Sequence, residues 1–248
     1  MKSKFIVNKL NSYLVKKQAF LIFLLLIVGV VVPTFSSTII VNFWYCLYRI
    51  FVNSMFNFFF CIALGFNTIF YIAEYFKNYT IVSRYENYQQ SMQVFIKDII
   101  WITIYYSLIS LILGISGAML VSFGHFELIS HPIYKIPLVL YLIFAFLRKT
   151  IFVCIVNVII YLLVVGIKKV WTYIVLVAHN FLFFFCKYNE DCISHFYKMP
   201  ILYNYYFLDI CYSSFGLEVL CKLLEICLLL IIYKIIWKIV TMKKRDLL

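Results

Sequence analysis

Six stretches of this chain are each long and apolar enough to cross a lipid bilayer, and no other feature narrows the fold so far. They cover residues 19–41, 55–73, 99–122, 150–167, 170–186 and 217–240, with Pro33 as a kink that a membrane helix tolerates. A crossing takes about 20 mostly apolar residues. In lipid each segment must satisfy its own backbone hydrogen bonds, and the residue alternation of a barrel strand is absent, so all six are expected to be helices. Composition agrees: 65% of the 248 residues are hydrophobic and 13% charged. A soluble domain is nearer half apolar and a quarter charged. The expected fold is therefore all-α, a single polytopic transmembrane domain.

The charges say which way it sits. The net charge of +12 would suggest nucleic acid only if basic residues gathered on a soluble face, and here they lie at the ends of apolar runs instead. With the N-terminus in the cytoplasm and six alternating crossings, 15 Lys and Arg fall inside: five in residues 1–17, then Lys77, Arg84, Lys97, Lys168, Lys169, Lys234, Lys238, Lys243, Lys244 and Arg245. Seven fall outside: Arg49, Lys135, Arg148, Lys149, Lys187, Lys198 and Lys222. That is the positive-inside bias, with both termini cytoplasmic. Residues 1–17 place Ile6, Leu10, Tyr13 and Leu14 on one helical face and Lys2, Lys9 and Lys16 on another, the pattern of a helix lying on an anionic membrane surface. The run that follows is too long for the core of a cleavable signal. A shorter apolar run, 136–147, stops just before Arg148 and Lys149 and is expected to be re-entrant or interfacial.

Between the second and third runs lies one water-loving island, "RYENYQQSMQVFIKD", Arg84 to Asp98. Tyr85, Tyr88, Met92, Phe95 and Ile99 recur at steps of three and four, while Glu86, Gln89, Gln90, Gln93 and Lys97 fill the other sides. Such a segment is a helix with an apolar stripe and a polar face. Two roles fit it: the cytosolic start of the third helix, lying on its neighbours, or a docking helix for a cytoplasmic partner.

Groups that could carry chemistry are few. "GISGA", Gly114 to Ala118, is similar to the GxSG of rhomboid intramembrane proteases, with His179 as a partner for Ser116. The likeness breaks where Ala63 stands in place of a rhomboid histidine, and small residues in membrane helices serve packing. His125, Glu127 and His131 match no standard metal spacing. There is no CxxC, and a bridge between Cys186 and Cys192 would need an oxidising compartment. No GxxxxGK[ST] is present. Glu218, Lys222 and Glu225 form a ladder at i, i+4 and i+7 near the outer end of the sixth run. Ionisable groups there are either functional or a self-neutralising cluster on one helix face. Asn57 and Asn67 on the second run suit interhelical hydrogen bonds or a translocation path.

The layout resembles the permease subunits of type-2 ATP-binding-cassette (ABC) exporters of low-GC bacteria. The stretch "IVSRYENYQQSMQVFIKDI", residues 81–99, looks like their cytoplasmic coupling segment, which would cover residues 77–98 here, and the long outer stretch Lys187 to Phe215 fits their re-entrant elements. The resemblance implies a multi-pass subunit in a bacterial cell membrane, paired with itself or a sister permease and in contact with lipid. The pair would dock cytoplasmic ATP-binding subunits, which hold the ATP and Mg, so this chain itself carries no cofactor, no metal and no catalytic residue. It also implies export of a lipid, drug or antimicrobial peptide, with Arg84, Tyr85, Glu86, Tyr88, Gln89 and Met92 meeting the ATPase. A non-transporting immunity or scaffold protein and a secondary transporter are the alternatives.

Overall fold

The computed structural model describes residues 17–35, 42–52, 56, 59, 60, 63, 88–122, 125–166 and 213–245. Among them are five helices and no strand: α1 (Lys17–Phe35), α2 (Phe43–Val52), α3 (Tyr88–Ser122), α4 (Leu138–Gly166) and α5 (Phe215–Arg245). Two, α3 over Met92–Ser122 and α4 over Leu138–Leu163, are long and apolar enough to cross a membrane. Their outward faces are greasy, with Trp101, Ile112 and Leu120 on α3 and Leu140 and Leu147 on α4 all more than half exposed. Apolar surface of that extent on the outside suits a lipid solvent better than water.

α3 begins inside the polar island. Its 35 residues make a rod of roughly 52 Å at 1.5 Å per residue, some 20 Å longer than a hydrocarbon core. Met92, Phe95 and Ile99 are buried, while Gln93 and Lys97 are exposed. The island's second half is thus the start of the third helix, lying on its neighbours through the apolar stripe.

α4 corrects the sequence reading. The run 136–147 is no separate re-entrant piece, because one helix of 29 residues passes from Leu138 through Arg148 and Lys149 to Gly166. Charged neighbours look like a boundary only while their partners are unknown, and both are buried on facing groups, as described below. Pro137, just ahead of the helix, leaves its carbonyl to accept from Leu140 N and Tyr141 N.

α2 is a helix the sequence reading does not contain, since Phe43 to Val52 falls between the first two expected crossings, where only Arg49 is placed, on the outside. Asn42 caps it: Oδ1 accepts from Trp44 N at 2.9 Å and Tyr45 N at 3.3 Å, and Nδ2 donates to Glu127 O at 2.8 Å. Phe43, Cys46, Leu47, Ile50 and Phe51 form its buried face, and Arg49 stays exposed beside Tyr45. Its first residue bonds His125 O, beyond the end of α3, whereas Phe51 lies against Gly114. It therefore runs antiparallel to α3. A Cβ on Gly114 would stand 3.1 Å from Phe51 Cζ, so glycine permits the close approach. Gly29 does the same for α1, where a Cβ would meet Phe59 Cβ at 3.0 Å.

Two contacts at opposite ends orient the rest. Phe95 meets Tyr161 and Thr103 meets Asn157, so α3 and α4 are antiparallel. Phe144 meets Phe215 and Arg148 meets Glu218, so α4 and α5 are parallel. Ser214 starts α5 by accepting Leu217 N on its hydroxyl and Glu218 N on its carbonyl. The expected surface helix at 1–17 and fifth run at 170–186 lie outside the described residues, apart from Lys17.

Candidate functional site

A guanidinium in the middle of an apolar helix must find a partner or leave the membrane. Arg148 lies two turns along α4 from Tyr141, so both face α5. Arg148 Nη1 donates to Glu218 Oε1 at 3.1 Å, and the Tyr141 hydroxyl makes a long contact of 3.5 Å to the same oxygen. Arg148 and Glu218 are only 7% and 1% exposed. One turn further along α5, Lys222 Nζ stands 3.4 Å from both carboxylate oxygens of Glu225.

The expected ladder is thus divided. Glu218 pairs across helices with Arg148, and Lys222 pairs with Glu225 on its own helix. Sequence reasoning counted Arg148 as an outer charge, for nothing local points to a partner 70 positions away. Lys149, roughly 100° round the helix from Arg148, faces elsewhere: its Nζ lies 4.5 Å and 4.6 Å from the ring centres of Phe56 and Phe60. A cation over two ring faces is stabilised by their quadrupoles.

An aromatic cap covers this ionic seam at the α3–α4 connection. His131 stacks on Tyr134 at 4.8 Å, leans on Tyr141 at 4.2 Å, and receives Tyr48 edge-on at 5.6 Å. Phe215 closes the group from α5. His131 is 1% exposed, and burial holds its pKa below the ordinary value.

Uncharged groups hold α3 to α4. The hydroxyls of Thr103, Ser107 and Ser110 donate to the carbonyls of Ile99, Thr103 and Ser107, and Asn157 Nδ2 donates to Thr103 Oγ1 at 3.1 Å. Asn157 is the interhelical asparagine the structure shows. Asn57 and Asn67 lie outside the described residues.

Met92 is buried in the chain's own core, and Gln93 and Lys97 carry the exposed face there. Tyr88 and Gln89 stand in the first turn of α3, and Arg84, Tyr85 and Glu86 lie outside the described residues. Ser116 faces outward while Gly114 packs on α2, so this stretch has the geometry of helix packing. His179 lies outside the described residues. Among those described, no three His, Cys, Asp or Glu side chains gather to hold a metal, and Cys46, Cys154, Cys221 and Cys227 are free thiols.

Chemically, each carboxylate in the seam has a cation within 3.4 Å: the Arg148–Glu218 pair ties α4 to α5, and the Lys222–Glu225 pair neutralises one face of α5. Compared with protein-family models, with curated proteins and with solved structures, the chain has no match.

Proposed function

We propose that this chain is the membrane-spanning permease subunit of an ABC exporter, moving a lipid, drug or antimicrobial-peptide-like substrate with ATP hydrolysed by a separate cytoplasmic subunit. The observation that carries this is α3. One continuous helix leads from the polar island into the core, where it packs on α1, α2 and α4. A partner pressing on the exposed face of its first turns would move the rod as a body and shift all three neighbours.

The six-crossing topology has support of its own. α4 and α5 are parallel, so the chain leaves Gly166 at one end of the bundle and re-enters at Phe215 beside the other. Residues 167–214 contain the apolar run 170–186, which has the length for the return crossing. Together with the charge bias, this supports the reading in which the island and both termini face the cytoplasm of a bacterial cell. ATP and Mg then belong to the partner, and a second permease copy or a sister chain completes the complex.

The paired charges favour one other reading, a non-transporting scaffold or immunity protein, since a neutralised seam is what a static bundle needs. Purification of the tagged full chain in mild detergent distinguishes the two. A P-loop ATPase should co-purify, and Arg84→Glu with Tyr88→Ala should release it while the permease stays folded. Isolation with no ATPase would contradict the transport assignment.

A further inference from the structure

The strongest feature outside that proposal is the histidine buried at the α3–α4 connection. His131 Nδ1 accepts two backbone N–H groups of its own turn, from Ile133 at 3.3 Å and Tyr134 at 3.2 Å. A nitrogen that accepts carries no proton, so the network assigns the ring proton to Nε2. Nε2 is buried and has no hydrogen-bond partner among the described residues.

The same turn is held by His131 N to Ile136 O at 2.7 Å, Lys135 N to His131 O at 3.0 Å and Leu138 N to Ile129 O at 2.9 Å. Lys135 adopts a left-handed φ of 54°, a conformation that side chains other than glycine resist and that these bonds must hold. A second proton on the ring can go only to Nδ1. It would point at two N–H donors, cancel both bonds and place a cation in a nearly dry site.

The titratable and charged groups around the ring offer little compensation. Tyr48 faces it from α2, Tyr134 and Lys135 belong to its own turn, and Tyr141 faces it from α4. Beyond Tyr141 stand Glu218 of α5 and Arg148 of α4, already paired with each other. Among the described residues no carboxylate makes an ion pair with the ring. Rings of tyrosine would attract an imidazolium by their faces, but that is a smaller term than two lost hydrogen bonds and the desolvation of a charge.

We propose that His131 is a proton-operated latch: neutral, it ties the α3–α4 turn to the start of α5 through Tyr141, and protonated, it releases both. The proton is the ligand and Nδ1 its acceptor. This inference needs no ATPase and stands or falls apart from the transport assignment.

Hydrogen exchange on the full chain in mild detergent, corrected for the intrinsic pH dependence of exchange, tests it between pH 8 and pH 5. The amides of Ile133, Tyr134, Lys135 and Leu138 and those of residues 218–221 should lose at least tenfold protection together, with one midpoint below pH 6.5. His131→Asn offers an acceptor oxygen at the same bond distance from the backbone and does not titrate, so it should keep the turn and abolish the step. His125→Gln should leave the step in place. Unchanged protection in the wild-type chain would overturn the proposal, as would a step confined to the turn or one that survives in His131→Asn. Should His131→Asn fail to fold, the wild-type exchange profile with the His125→Gln control still decides.

Discussion

Helix α4 is held on one side by uncharged polar groups and on the other by ions. Towards α3, the hydroxyls of Thr103, Ser107 and Ser110 are satisfied by carbonyls of their own helix, and Asn157 adds one bond across the gap. Towards α5, Arg148 and Glu218 have each other, with a long contact from Tyr141. A hydroxyl that bonds its own backbone remains satisfied if the neighbouring helix moves or is truncated. A buried ion has no such local substitute. The first seam should therefore tolerate substitution and sliding, whereas the second should behave as all or nothing.

The largest expected effect comes from making that second seam incomplete. Glu218→Leu strands the guanidinium of Arg148 and should cost about 3–5 kcal/mol, because an unpaired buried charge loses far more than the pair contributes. Thermal unfolding in detergent would show it, or the chain would fail to fold. Adding Arg148→Met should restore most of the loss, so the double variant should be more stable than Glu218→Leu alone. If Glu218→Leu proves mild, the distinction between the seams collapses.

A steric contact lies between the two extremes. Gly114→Val would push into Phe51 and Leu47 and should cost about 1–3 kcal/mol, as overpacking does. It sharpens the comparison by showing what close approach is worth where no polar group is involved. The smallest effect is expected at the uncharged seam. Asn157→Leu should cost only about 0.6–1.7 kcal/mol, the range of single hydrogen bonds between membrane helices. A loss as large as that of Glu218→Leu would mean that the asparagine, and not the ion pair, organises α4.

How much of this was visible in the sequence follows the same division. Local patterns were legible: the apolar third and sixth runs became α3 and α5, and the stripe Met92–Phe95–Ile99 faces the core as its spacing required. The ladder of Glu218, Lys222 and Glu225 was also found, but only its Lys222–Glu225 half pairs as helical spacing suggests. Pairings over long separations were not legible. Arg148 and Lys149 looked like the edge of a membrane run because Glu218, Phe56 and Phe60, which make them tolerable inside a helix, are distant in the chain. α2 went unrecognised although its signals were local, an asparagine cap followed by apolar residues at steps of three and four. His131 was weighed as a metal ligand, whereas its acceptor role depends on a turn that only the fold defines.

In the proposed topology α3 carries the island to the cytoplasmic side, and the His131 turn lies on the opposite side. Single cysteines at Gln93 and Leu128, both exposed positions, test it in a background whose eight native cysteines have been replaced. In intact cells a membrane-impermeant maleimide should label Leu128→Cys at once and Gln93→Cys only after permeabilisation. Labelling of Gln93→Cys in intact cells with Leu128→Cys protected would invert the topology and remove the island from any cytoplasmic ATPase.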